Sequence, residues 1–148
     1  MKATISALIL VATLAACGAD PLSFDVRSSA PWAQRADAEQ RLRATADRAA
    51  RFWGASGVEN LRGWTVTVRD GSLICGDHID LGCTHFEWRW IALSAMAGEG
   101  WSTPCAEATL LAHEIGHAIL WTPSHGDPRW ALLPARQQVD MAAHPDCL

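Results

Sequence analysis

The run Leu110-Leu111-Ala112-His113-Glu114-Ile115-Gly116-His117-Ala118-Ile119 gathers the residues best suited to chemistry. Two histidines stand four positions apart, with a glutamate directly after the first. On a helix, positions i and i+4 share one face about 6 Å apart, so two imidazoles can converge on one ion. Zinc suits such a pair because it takes nitrogen ligands in a tetrahedral arrangement. Glu114 would stand beside the ion without ligating it, in reach of a water there. Zinc makes such a water acidic enough to lose a proton near neutral pH and polarises a carbonyl oxygen. Glu114 could take that proton and pass it to a leaving amine.

A catalytic zinc needs a third protein ligand and one open position. The chain has no Glu after His117, which leaves His125, Asp127, Asp140, His144 and Asp146. His125 is the expected ligand and Asp127 the runner-up. A helix running four residues past His117 advances about 6 Å. Thr122-Pro123-Ser124 can then turn back, since four extended residues reach about 13 Å. Asp127 has two further readings, as an acceptor from a ligating His or as a polar residue of the Gly126-Asp127-Pro128 turn.

The segment resembles the active-site helix of the zincin metallopeptidases. Ile115 and Gly116 fill the two uncharged middle places, with Leu110, Leu111 and Ile119 outside. The resemblance covers roughly residues 105–127. It implies a peptidase with His113, His117 and a third residue on one zinc ion, and Glu114 as general base. In the metzincin branch a third His follows the second by six residues after a glycine turn. Here Leu120 holds the glycine place and His125 follows His117 by eight. An Asp third ligand, as Asp127 would be, marks another branch. The absence of Tyr from the chain removes the tyrosine that some metallopeptidases use near zinc. Met141 is the candidate for a methionine turn beneath the metal. In zincins an edge strand pairs with an extended peptide substrate, and Trp88–Ser94 is the expected counterpart.

These residues must be carried by a small α+β fold. Pro31 opens a helical stretch to about Trp53, with Leu42, Ala46, Ala49 and Trp53 on one face. Trp64–Arg69 alternates and is β-branched, as strands are. Residues 72–86 read as a loop or irregular hairpin, and Trp88–Ser94 as a second strand. Thr103 and Pro104 are an N-cap and first helical residue for a helix running to about Trp121, before Pro123. A last short helix is expected after Pro134. Gly116 costs a helix about 1 kcal/mol relative to Ala, which suggests that something packs closely against it. His78 and His85, beside Asp77 and Asp80, read as loop polars or as a second metal site.

The N-terminus predicts export. Lys2 precedes an apolar stretch, Ile5–Leu14, too short to span a bilayer and suited to a secretory signal. Leu14-Ala15-Ala16-Cys17 resembles the bacterial lipobox. That likeness implies cleavage before Cys17, lipid on its sulfur, and anchorage in the cell envelope. Asp20 is not directly after the Cys, which favours the outer membrane. The expected organisation is a signal at 1–16, a lipidated tether at 17–30 and a catalytic domain at 31–148. Cleavage leaves 148 − 16 = 132 residues, enough for one modest core. Without Lys2 there are 11 basic and 16 acidic side chains. No basic cluster stands out, so nucleic acid is not an expected partner. A monomer acting on a peptide or protein is expected. Four cysteines remain, an even number that suggests two disulfides in an oxidising compartment. Cys75–Cys83 and Cys105–Cys147 are the favoured pairs among three connectivities. Two other functions fit the same residues: a non-catalytic zinc-binding surface lipoprotein, and a zinc amidase acting on cell-wall material.

Overall fold

The computed structural model describes residues 21–95 and 104–133, with side chains in the last helix described from Leu110 onward. Among the described residues the architecture is mixed α+β: two α-helices, a four-stranded mixed sheet and a two-stranded hairpin.

Strand β1, Ser23–Arg27, lies in the segment expected to be tether. It pairs in parallel with β2, Thr65–Arg69, from Ser23 opposite Thr65 to Arg27 opposite Arg69. The folded body therefore begins by Leu22, which is buried. The chain then departs again from expectation. A long helix opening at Pro31 is not formed; residues 31–37 make turns, and α1 is Ala38–Phe52. Side-chain bonds divert the approach. Asp70, just past β2, accepts from the Ser28 hydroxyl and the Ser29 amide at 2.5 and 2.9 Å. Gln34 donates to the Ser28 carbonyl. Once started, α1 has the composition of a helix. Leu42, Ala46, Ala49 and Ala50 are buried along one face. Asp37–Arg41, Glu39–Arg43 and Asp47–Arg51 form i,i+4 ion pairs on the exposed side, each a small contribution.

After β2 comes a hairpin of β3, Leu73–Cys75, and β4, His78–Asp80. Then β5, Gly82–His85, returns antiparallel to β6, Trp90–Ser94. The four-stranded sheet has the order β1-β2-β6-β5. Hence β6 is an inner strand, flanked by β2 and β5, and the edge expected at Trp88–Ser94 belongs to β5. Trp88 lies in the preceding turn and is exposed. The burial of Ile91, Ala92 and Leu93 agrees with an inner strand covered on both faces.

Helix α2, Pro104–Leu120, packs on α1 and the sheet. Leu111, Ala112, Ile115 and Ala118 join Leu42, Ala46, Val66, Val68, Ile91 and Leu93 in the core. The Trp53 indole N–H fixes the helix pair by donating to the Ala112 carbonyl at 2.8 Å. A disulfide joins Cys75 to Cys83 and ties the β3–β4 hairpin to β5. Cys17, the Cys105–Cys147 pair, Met141 and the helix expected after Pro134 lie outside what is described.

Candidate metal centre

Two elements meet at the site, the second half of α2 and the loop after it. The helix places His113 and His117 on one face, with their Nε2 atoms 3.2 Å apart. Trp121 then turns the chain with a positive φ of 52°. The Thr122 amide donates to the His117 carbonyl. Thr122 and Ser124 hydroxyls accept from the amides of Ser124 and Gly126 in turn. This short ladder of side-chain bonds brings His125 back over the helix. Its Nε2 is also 3.2 Å from that of His113. The ligand atoms of all three histidines lie within 4.8 Å of one another.

The donor set fits zinc. With Zn–N bonds of about 2.0–2.1 Å, the 3.2 Å spacing of His113 Nε2 from each of the other two Nε2 atoms subtends about 99–106° at an ion, near the tetrahedral angle. The tautomer fits as well. His117 Nδ1 is 2.8 Å from the Thr122 carbonyl oxygen, which can only accept. The proton therefore sits on Nδ1, and Nε2 presents its lone pair to the site. Burial, with His117 and His125 adding, pushes the His113 imidazole down to about 4. Burial also lowers His117, against the pull of the Thr122 bond. Both are neutral near pH 7, the state a metal ligand requires.

Trp130 forms one wall. Its ring centroid lies 4.7, 4.7 and 4.6 Å from those of His113, His117 and His125. The residue is delivered by a short 3-10 turn, Pro128–Ala131, capped by Asp127. The Asp127 carboxylate accepts from the Arg129 amide at 2.9 Å and from its guanidinium at 2.8 and 2.6 Å. Arg129 holds that carboxyl down to about 2. Asp127 is thus engaged away from the histidines, as a helix cap and ion-pair partner, and does not join the metal-binding group. Arg129 also donates to the Trp53 carbonyl. Trp53 and Trp130, with ring centroids 4.3 Å apart, pack against the bare face of Gly116. A Cβ there would stand 2.5 Å from Trp53 Cε2 and 2.8 Å from Trp130 Cη2. This is the close neighbour that a glycine within the motif implied.

Glu114 points toward β5. It is buried, and burial raises its carboxyl to about 7, with Asp80 acting in the same direction. The Thr84 hydroxyl lies 2.7 Å from Oε2 and 3.0 Å from the Glu114 carbonyl oxygen. Gly82 leaves room for the carboxylate: a Cβ on it would come within 2.5 Å of Oε1. The histidines and Glu114 open onto a cleft of about 380 Å³ bordered by Asp80, Thr84, Phe86 and Pro123.

His78 pairs with Asp77 on the surface at 3.0 Å. His85 stacks on Trp88 and Trp90. Neither joins a second metal-binding group among the described residues. Asp140, His144 and Asp146 lie outside them. Sequence reasoning did not find Thr84, Gly82 or Trp130, because their roles depend on pairings distant in the chain. Only Trp130 left a trace, through Gly116.

No family model matches the chain, and no curated protein or solved structure does either. The functional reading therefore rests on the geometry.

Proposed function

We propose that this protein is a zinc-dependent hydrolase of the zincin type that cleaves peptide bonds. The observation that carries the reading is the gathering of three imidazoles whose ligand atoms lie within 4.8 Å of one another, with a buried carboxylate one residue along the same helix. Bound zinc would supply a Lewis acid and would acidify a water at the open position. His113, His117 and His125 hold the ion. Thr122 fixes His117 in the ligating tautomer. Glu114 takes the proton from the attacking water and delivers it to the leaving nitrogen. Thr84 and Gly82 hold Glu114 in place for that transfer. An extended substrate is accommodated along β5, the outer strand beside the cleft, through main-chain pairing.

The engagement of Asp127 with Arg129 favours an open metal position over a closed structural site. Anchorage through lipid on Cys17 belongs to the same proposal, and places the activity in the bacterial cell envelope. No helix among the described residues is long and apolar enough to cross a membrane. The test is Glu114→Gln in the purified chain, assayed on peptides and on muropeptides. Zinc content is expected to stay at one ion per chain while peptide cleavage falls by about 10²–10⁴-fold. Full activity in the variant overturns the role of Glu114. Cleavage of muropeptides alone reassigns the enzyme to cell-wall amides.

A further inference from the structure

We propose that the end of the sheet where the chain enters is a docking face for the headgroup region of a lipid bilayer. The inference rests on the reading of Cys17 as the lipidated residue, and is independent of the zinc reading. Four residues lie between Cys17 and Leu22, and the five steps of extended chain cover at most about 18 Å. Leu22 is already buried in the body. An anchored protein is thus held close to the bilayer by the start of β1.

Parallel pairing decides which residues share that end. The Ser23 amide donates to the Trp64 carbonyl at 3.1 Å, and the Thr65 amide to the Arg89 carbonyl at 2.9 Å. The starts of β1, β2 and β6 therefore lie side by side. At this same end stand two of the largest exposed apolar side chains, Trp88 at 73% and Trp121 at 56% exposure. Trp121 meets Trp64 and Phe86, with ring centroids 5.9 and 5.5 Å apart. Arg62 and Arg89 are exposed beside them. Together with Trp64 and Trp121 they border a hollow of about 500 Å³.

Tryptophan with arginine is the composition that favours a bilayer interface. The indole takes the boundary between headgroup and acyl chain, and the guanidinium reaches phosphate. Bilayer contact also accounts for the exposure of Trp88 and Trp121 in a protein held within a few residues of the membrane.

The test uses the full chain, processed in a bacterial host and reconstituted into phosphatidylethanolamine–phosphatidylglycerol vesicles. Some vesicles carry bromine near the top of the acyl chains, a contact quencher of indole. All eight tryptophans follow Cys17, so contact by two of them predicts quenching of about a quarter of the emission. The double variant Trp88→Phe/Trp121→Phe loses that quenchable fraction. Trp32→Phe, beyond the opposite end of β1, keeps it. Mass spectrometry of the same samples reads the lipid on Cys17, and circular dichroism reads the fold. Lipid on Cys17 without quenching overturns the docking face and leaves the anchor standing, as does quenching that survives in a folded double variant. Absence of lipid on Cys17 overturns both.

Discussion

Replacing Gly116 by alanine is expected to destabilise this protein, although the same change in an exposed helix stabilises it by about 1 kcal/mol. The opposing effect is steric. The new Cβ would lie 2.5 and 2.6 Å from two atoms of the Trp53 ring and 2.8 Å from Trp130. Comfortable carbon contacts lie near 3.5–4.0 Å, so rigid rings must move by about 1 Å. Trp53 is 2% exposed and held by its bond to Ala112, which leaves it little room. Overpacking of this kind costs about 1–3 kcal/mol, and losing the indole hydrogen bond adds about 1 kcal/mol. Taking the upper part of that range and subtracting the helix gain leaves a net loss of about 2–3 kcal/mol. Any shift of Trp130 disturbs its contact with all three imidazoles. Zinc affinity is expected to fall about 10–100-fold, as when other supports of a metal ligand are removed. Urea unfolding of the metal-free chain reads the first effect, and competition with a chelating dye reads the second. A Gly116→Ala protein that is more stable than wild type and binds zinc equally well would refute the packing argument.

Further predictions concern Glu114. In the metal-free chain its carboxyl is raised to about 7 from an unfolded value near 4.5. It therefore contributes stability at low pH that is lost as pH rises through that window. His113, lowered to about 4 from 6.5, acts in the opposite direction, and its contribution grows as pH rises. Glu114→Gln removes the first effect. The metal-free variant is expected to gain stability with pH between about 4.5 and 6.5 more steeply than wild type, by up to about 1.4 kcal/mol per pH unit; equal slopes in urea titrations would contradict the burial argument. Thr84→Val removes the hydroxyl that holds the carboxylate. A lost bond of about 1.5 kcal/mol predicts an activity about ten times lower. The acid limb of the pH–rate profile is expected to move upward, since that bond favours the ionised form; an unmoved limb would show that Thr84 does not act on Glu114.

Much of the site was legible because it is local. His113, Glu114 and His117 follow from helix periodicity. His125 follows from how far a few residues can turn back, although the ladder through Thr122 and Ser124 was needed to see how they do so. Asp127 stayed ambiguous in the sequence, since a carboxylate after a glycine suits a ligand or a cap. In the structure the carboxylate is taken up by the Arg129 fork and caps the 3-10 turn. The fold was less legible where pairing is distant. Ser-Phe-Asp-Val-Arg at 23–27 alternates over only two apolar residues, and becomes a strand because β2 offers it a parallel edge. Gly-Cys-Thr-His at 82–85 carries little strand propensity. It is held by β6, and the disulfide to Cys75 fastens the adjoining hairpin to it. That single pairing moves the sheet edge from β6 to β5, and with it the proposed substrate path. The α1 start was misplaced because Asp70, more than forty residues away from Ser28, captures the preceding turn.

The most direct test of the central claim is the zinc content of the purified chain, measured beside single alanine variants of His113, His117, His125 and Asp127. One zinc per chain is expected in wild type and in Asp127→Ala, and loss of the ion in each histidine variant. A chain that takes up no zinc on reconstitution, or one that loses it at Asp127 and keeps it at His125, would contradict a three-histidine zinc site.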